Sequence, residues 1–317
     1  MSLTTHARTR RAPQTAVHVS AVTTTPVREE LHRSAPGHRD VVDLEVVVPA
    51  LNEEARLPRT LARTLEFLEH QPYSSAVVVV DNGSVDATAD VARSFAGGPV
   101  PVHLIGCARR GKGSAVRRGF ATGSARWTGF MDADLATPVE TLAAVVPLLQ
   151  SGASAVIGSR YAPMATRSVP QGLVRRLGGT AFRAAARSVL PHVLDSQCGF
   201  KFFSGPAVRE LLPHCAIDGF SFDLELLACL HREGHTILEV PVTWSDVPGS
   251  SFAPLQHGLR SFSDTLRVHR SLTGHRQRSR GGEDLVPSPV LGPLNGPAVG
   301  PVGPVDEPAQ APQQHAP

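Results

Sequence analysis

The feature that most constrains this chain is a regular alternation, over residues 44 to 158, of short β-branched runs with longer stretches of helical period. Leu44 to Pro49 is a Val-rich run, and Glu53 to His70 follows with Leu57, Leu61, Leu65 and Leu68 at helical spacing. Ala76 to Asp81 repeats the first pattern, and Ser84 is placed to cap a helix through Phe95 with Asp86 in its first turn. Val102 to Gly106, a glycine-rich turn and a helix to Gly123 come next. A strand from Trp127 to Asp132, a helix from Pro138 to Leu149 and a strand from Ala153 to Gly158 complete the series. Five apolar strands separated by helices are buried on both faces only in a largely parallel sheet flanked by helices. The expected fold is therefore α/β, a single Rossmann-like domain with a mostly parallel central sheet. Ligands of such sheets sit at the carboxyl ends of the strands.

The rest of the chain sets the limits of that domain. Residues 1–42 are rich in Arg, Thr and Ser, with no acid before Glu29 and with prolines at 13 and 26 that interrupt any targeting helix. Residues 274–317 are Arg/Gly-rich and then Pro/Gly-rich, lacking the apolar side chains that offset chain entropy. Both are expected to be disordered tails around a core of 43–273. A net charge of +3 is too small for a dedicated nucleic-acid binder. Cys107, Cys198, Cys215 and Cys229 form no CxxC pair, which fits a reducing, cytoplasmic setting. No run approaches the ~18 apolar residues of a membrane span.

Polar residues at the strand ends are the place to look for chemistry. Asn52 to Glu54 follow the first strand, Asp81-Asn82-Gly83-Ser84 the second and Asp132-Ala133-Asp134 the fourth. Alternate residues of an extended segment share a face, so Asp132 and Asp134 can present both carboxylates to one ligand. A hard divalent cation bridging diphosphate oxygens, Mg²⁺ or Mn²⁺, is the natural partner of such a pair. A pair of solvated turn aspartates is the ordinary alternative. Asp81 can accept hydrogen bonds from a base or ribose, and it also suits a turn. Gly106 to Lys112 satisfies G-x-x-x-x-G-K between a strand and a helix, which keeps a phosphate-binding P-loop in play, although Gly113 stands where that motif needs Ser or Thr.

Taken in order, Val48-Pro49-Ala50-Leu51-Asn52-Glu53, Val80-Asp81-Asn82-Gly83-Ser84, Gly111-Lys112-Gly113 and Asp132-Ala133-Asp134 resemble the family 2 glycosyltransferases of the GT-A fold. Within that family, Gly158-Ser159-Arg160-Tyr161, Ser196 to Lys201 and Phe222-Asp223-Leu224-Glu225 are similar to the dolichyl-phosphate glucose and mannose synthase branch, the glucose synthases in particular. The resemblance implies that Pro49, Asn52 and Glu53 frame a nucleotide pocket, that Asp81 meets the base or ribose, and that Lys112 borders the same pocket. It implies that Asp132 and Asp134 hold Mg²⁺ or Mn²⁺ on the donor diphosphate and that Arg160 contacts an anionic phosphate. Asp223 and Glu225 would face the reacting centre. Asn82 stands where the family commonly has a second Asp, Ala136 where mannose synthases often have Gln, and Gly249 to Phe252 lack an expected Lys.

The activity so implied is inverting transfer of a hexose, glucose from UDP-glucose, to a polyprenyl or dolichyl phosphate. A soluble hydroxyl acceptor in secondary metabolism and a P-loop nucleotide-binding protein are the alternatives. A lipid acceptor would be met peripherally, at the inner membrane face. Leu173 to Leu190 and Leu259 to Arg270 place arginines among apolar residues as an interfacial helix does, and also as an ordinary core-packing helix does.

Overall fold

The computed structural model describes residues 41–167, 183–245 and 268. The expected tail readings over 1–40 and 274–317 lie outside these residues. So do Gly249 to Phe252 and most of the two amphipathic stretches.

A seven-stranded sheet organises the domain, in the order β3-β2-β1-β4-β7-β5-β8. Its strands are β1 (Leu44–Ala50), β2 (Ser75–Asp81), β3 (Val102–Gly106), β4 (Trp127–Met131), β5 (Ala155–Ser159), β7 (Phe200–Ser204) and β8 (Ile237–Pro241). Short strands β6 (Thr166–Arg167) and β9 (Thr243–Trp244) pair with each other in parallel. The helices are α1 (Leu57–Glu69), α2 (Thr88–Ser94), α3 (Lys112–Thr122), α4 (Leu142–Gln150), α5 (Gly205–Leu211) and α6 (Phe222–Arg232).

Valine runs make β1 and β2 strands because branched side chains pack well on both faces of a pleated, fully buried surface. Alternation then sorts them. Val47, Val78 and Val80 face one core with residues of α3, α5 and α6. Val46, Val48, Val77 and Val79 face a second core with residues of α1, α2 and α4. All pairings among β1, β2, β3 and β4 are parallel, as the alternating pattern requires.

The structure adds a strand to those expected and moves helix starts. β7 lies between β4 and β5, antiparallel to both. The Phe200–Ser204 segment carries no valine run or clean alternation, so nothing local announced it. The second helix begins at Thr88, and Ser84 does not cap it, because the polar side chains of 84–88 serve another loop, described below. Likewise the first helix begins at Leu57. Val139–Thr141 is a 3₁₀ turn ahead of α4.

The described part of the first amphipathic stretch packs inward: Ala186, Val189 and Leu190 are buried in the α6-side core, where Val268 also lies. Among the described residues no helix is long and apolar enough to cross a membrane.

Candidate active site

The carboxyl ends of β1, β2 and β4 open on a cleft of about 400 Å³. Of the residues expected at the site, Pro49, Asn52, Glu53, Lys112, Asp132 and Asp134 all line it. Asp81 stands one position behind, buried, while its neighbours Asn82 and Gly83 reach the cleft wall. Arg110, Ala115 and Phe220 also line it.

Two rim loops are tied together by each other's side chains. The Asn52 N–H donates to Ser84 Oγ at 3.0 Å and the Glu53 N–H to Thr88 Oγ1 at 2.8 Å. The Glu54 N–H donates to Asp86 Oδ2 at 3.1 Å. In return the Val85 N–H donates to Asn52 Oδ1 at 2.9 Å and the Ala87 N–H to Glu54 Oε2 at 2.9 Å. Every one of these backbone donors would otherwise face solvent or a helix end, so the exchange fixes both loops and delays both helices. Asn52 pays for the geometry with a left-handed backbone, φ 56°, a conformation that Asn tolerates better than most residues.

Asp81 Oδ1 accepts from the Ser84 N–H at 3.0 Å and so closes the turn after β2. The departure at Asn82 has a structural cause. Its Nδ2 donates to the carbonyls of Arg109 (2.7 Å) and Cys107 (3.2 Å), and its Oδ1 accepts from the Gly111 N–H at 2.7 Å. A carboxylate has no donor for the two carbonyls, so Asp could not bridge β2 to the 107–111 turn in this way.

Asp132 and Asp134 leave the end of β4 on one side, with the buried Ala133 between them. The Thr60 hydroxyl on α1 donates to the Ala133 carbonyl at 2.6 Å and anchors the segment. Asp134 Oδ1 accepts from the Ala136 N–H at 3.0 Å. Burial, and then the neighbouring Asp132 charge, push the Asp134 carboxyl above its ordinary value. Two carboxylates that repel across a cleft form an oxygen donor set that a hard cation would relieve, and diphosphate oxygens would complete its coordination. The residues therefore fit Mg²⁺ or Mn²⁺.

Lys112 answers part of this charge. Its Nζ stands 2.5 Å from Asp132 Oδ1, at the first residue of α3, with the Phe130 ring centroid 5.4 Å away. Burial would lower its pKa, but the charges of Asp132, Asp223 and Asp134 outweigh it and hold the ammonium above the ordinary lysine value. Glu53 is bound by both oxygens to Arg56, at 2.6 and 2.8 Å, and burial nonetheless leaves its carboxyl raised.

Arg160, Asp223 and Glu225 lie outside the cleft lining. The Arg160 guanidinium grips the buried Asp195 with Nε at 2.7 Å and Nη2 at 2.9 Å, and its backbone N–H reaches the same carboxylate at 3.0 Å. Asp195 is in turn steadied by Glu239 on β8, which accepts from the N–H groups of Leu194 (2.8 Å) and Asp195 (3.0 Å). Asp223, in the first turn of α6, accepts from Lys201 Nζ at 2.8 Å, Gln197 Nε2 at 3.1 Å and the Leu224 N–H at 2.9 Å. Glu225 Oε2 accepts from the N–H groups of Ala216 (2.9 Å) and Ile217 (2.8 Å), so it holds the segment leading into α6.

The glycines around Lys112 serve packing. A Cβ at Gly113 would lie 2.8 and 2.9 Å from the carbonyl oxygens of Ile217 and Gly219 and closer still to Phe222, and one at Gly111 would meet the backbone of Asp218. The Gly111 N–H is taken by Asn82 and the Ser114 N–H donates to the Asp218 carbonyl at 3.2 Å. A P-loop needs such amides free for phosphate. Here one is held by Asn82 and the other holds the 217–222 segment, whose Phe220 then reaches the cleft.

Asp195, Gln197 and Lys201 carry the site without having been singled out as functional from the sequence. Gln197 and Lys201 had one advance signal, membership of the Ser196 to Lys201 run; Asp195, one residue before it, had none. Gly199 belongs with them. Its carbonyl accepts from the Asp132 N–H at 3.0 Å, and any Cβ there would overlap the Asp132 carboxylate, lying 2.7 Å from Oδ1 and nearer to the other two atoms.

Comparison with known proteins gives the family. The profile of Glycosyl transferase family 2 matches residues 45–211. The chain is 33% identical to the dolichyl-phosphate beta-glucosyltransferase of Drosophila melanogaster, over 72% of this chain and 74% of that protein. It is 30% identical to the enzyme of the same description from Saccharomyces cerevisiae, over 75% and 79%. Among solved structures, glucosyl-3-phosphoglycerate synthase from Mycobacterium tuberculosis in complex with UDP superposes with a TM-score of 0.54 at 24% identity, covering 74% of this chain and 80% of that one. That likeness concerns the fold.

Proposed function

This chain belongs to glycosyl transferase family 2, and on that premise we propose that it moves glucose from UDP-glucose to a polyprenyl phosphate of the dolichyl type, inverting the anomeric configuration. The relatives named above are described as dolichyl-phosphate beta-glucosyltransferases, which supports both sugar and acceptor. The observation that carries the reading is the Asp132, Asp134 and Lys112 constellation at the end of β4, facing a cleft walled by the β1 and β2 loops.

Asp132 and Asp134 would hold Mg²⁺ or Mn²⁺, which when bound neutralises negative charge on the donor diphosphate. A solved neighbour of like fold contains Mn²⁺ with UDP-glucose. Asn52 and Glu53 shape the wall for the nucleoside, Asp81 closes the turn behind it, and Lys112 adds a cation beside the diphosphate. In the displacement an acceptor phosphate oxygen forms its bond to the anomeric carbon as the bond from that carbon to the UDP oxygen breaks, and UDP departs with the electron pair.

The state of the carboxylates favours a phosphate acceptor over a hydroxyl. A phosphate monoester has a second pKa of ~6 and needs little deprotonation at neutral pH, whereas a hydroxyl needs a general base. Asp223 accepts three hydrogen bonds and Glu225 Oε2 accepts two from backbone amides, so both are occupied in holding structure. Asp223 then orients, and Arg160, held by Asp195, supplies fixed positive charge toward the acceptor side. A lipid-borne acceptor calls for peripheral contact with a membrane, and on this reading the enzyme works from the cytoplasm at the inner membrane face.

Incubation with radiolabelled UDP-glucose tests the reading. Label should pass into an organic-extractable product with polyprenyl phosphate and Mn²⁺ or Mg²⁺, and not with EDTA. Label recovered only in water-soluble products, with sugar alcohols or phosphoglycerate as acceptors, would overturn the lipid acceptor.

A further inference from the structure

The chain contains only two lysines among its 31 basic residues, Lys112 and Lys201. Arginine serves everywhere else, so the positions that keep lysine are informative. Folding brings both to one place: each Nζ lies 5.4 Å from the centroid of the Phe130 ring. Lys112 belongs to the cleft already described. Lys201 does not line it.

Lys201 is fully buried at the second residue of β7, paired in register with Phe130 of β4 and Ile157 of β5. A buried ammonium is tolerated only when its donors are satisfied. Lys201 donates to Asp223 Oδ2 at 2.8 Å and to the carbonyl of Cys198. Asp223 is also bound by Gln197 Nε2 at 3.1 Å. The ammonium thus joins the start of α6 to the Cys198 carbonyl, and the Gln197 side chain makes a second tie from the same turn to Asp223. The next residue is Gly199, whose carbonyl receives the Asp132 N–H and at which an added Cβ would overlap the Asp132 carboxylate. A guanidinium could not replace this ammonium, because its planar fork carries five donors and these neighbours offer too few acceptors.

We propose that Lys201 is a positioning residue: by clamping Asp223 and the Cys198 carbonyl it fixes the 197–199 turn, and the turn fixes Asp132 where the donor diphosphate and its cation are received. Lys201 touches neither donor nor acceptor. Its effect is on the coupling between cation and nucleotide binding, and in this it rests on the function proposed above.

The test is calorimetric titration of UDP, with and without Mn²⁺, alongside thermal melts. The variants are Lys201→Met, Lys201→Arg, Lys201→Met/Asp223→Asn and Gln197→Leu. The double variant removes both buried charges, so it keeps the fold if the single variant loses it. Metal-dependent UDP affinity should fall about tenfold in the double variant and about threefold in Gln197→Leu, with metal-free UDP binding unchanged and with Lys201→Arg no better than Lys201→Met. Wild-type metal coupling in the double variant and in Gln197→Leu would overturn the proposal and leave Lys201 as a structural ion pair. A wild-type protein that binds UDP no better with Mn²⁺ than without would remove the function reading, and the proposal with it.

Discussion

Gly199→Ala is the smallest change that reaches the proposed cation site. Its backbone φ lies outside the left-handed range, so alanine meets no conformational objection there; only the added methyl matters. That Cβ would stand 2.7 Å from Asp132 Oδ1 and nearer to Oδ2 and Cγ. Carbon–oxygen contacts normally stand at roughly 3.3 Å or more, so the carboxylate must withdraw by on the order of 1 Å. Its side chain is 38% exposed on the cleft and can do so by turning outward, away from Lys112. The fold should therefore survive, with a stability loss of about 1 kcal/mol. Catalysis should not: misplacement of a positioning group by ~1 Å costs on the order of 10²-fold, or about 2.7 kcal/mol of transition-state stabilisation. Steady-state kinetics with radiolabelled UDP-glucose, beside a thermal melt, measure both quantities. A Gly199→Ala protein with wild-type kcat/KM would refute the reasoning, and so would one whose activity fell only because it had unfolded.

Two further substitutions test other parts of the account. Burial alone would raise the Asp195 carboxyl, but the hydrogen bonds and charge of Arg160 more than offset it and hold the group below its usual value. The pair therefore contributes stability that is complete above pH ~4 and lost as pH falls through the lower folded-state value. Asp195→Asn should cost about 3 kcal/mol near pH 7 and flatten the acid limb of a melting-temperature profile; an unchanged profile contradicts the role given to the pair. Gly113→Ser completes the P-loop consensus in sequence, yet its Cβ would press on Phe222 and on the carbonyls of Ile217 and Gly219. It should lower stability by about 3 kcal/mol with no gain of ATP binding, and a stable, ATP-binding variant would revive the P-loop reading.

The parallel strands and the cleft at their ends were legible because buried strands leave valine runs and because acidic residues stood where those runs stopped. Three kinds of feature were not. β7 is hidden, since Phe200 to Ser204 carries a lysine at its second residue and its start overlaps a run that reads as a motif. Local capping failed as a guide at Ser84, whose hydroxyl is used by Asn52 across 32 positions of sequence. Long-range partners such as Arg160 with Asp195, or Lys201 with Asp223, are fixed by the strand order and by the antiparallel insertion, neither of which a single sequence specifies. Gly111, part of a phosphate-loop consensus in sequence, and Gly113 beside it are room for the 217–222 segment.

The account's central claim is that Asp132 and Asp134 jointly hold a divalent cation on the donor diphosphate. Electron paramagnetic resonance of free Mn²⁺ during titration with protein and UDP measures this directly, in the wild type and in Asp134→Ala. The account predicts that the wild type takes up one Mn²⁺ per chain only when UDP is present, and that Asp134→Ala loses both this uptake and glucose transfer while keeping its melting temperature. An Asp134→Ala protein that sequesters Mn²⁺ with UDP as the wild type does, and transfers glucose at the same rate, would contradict it.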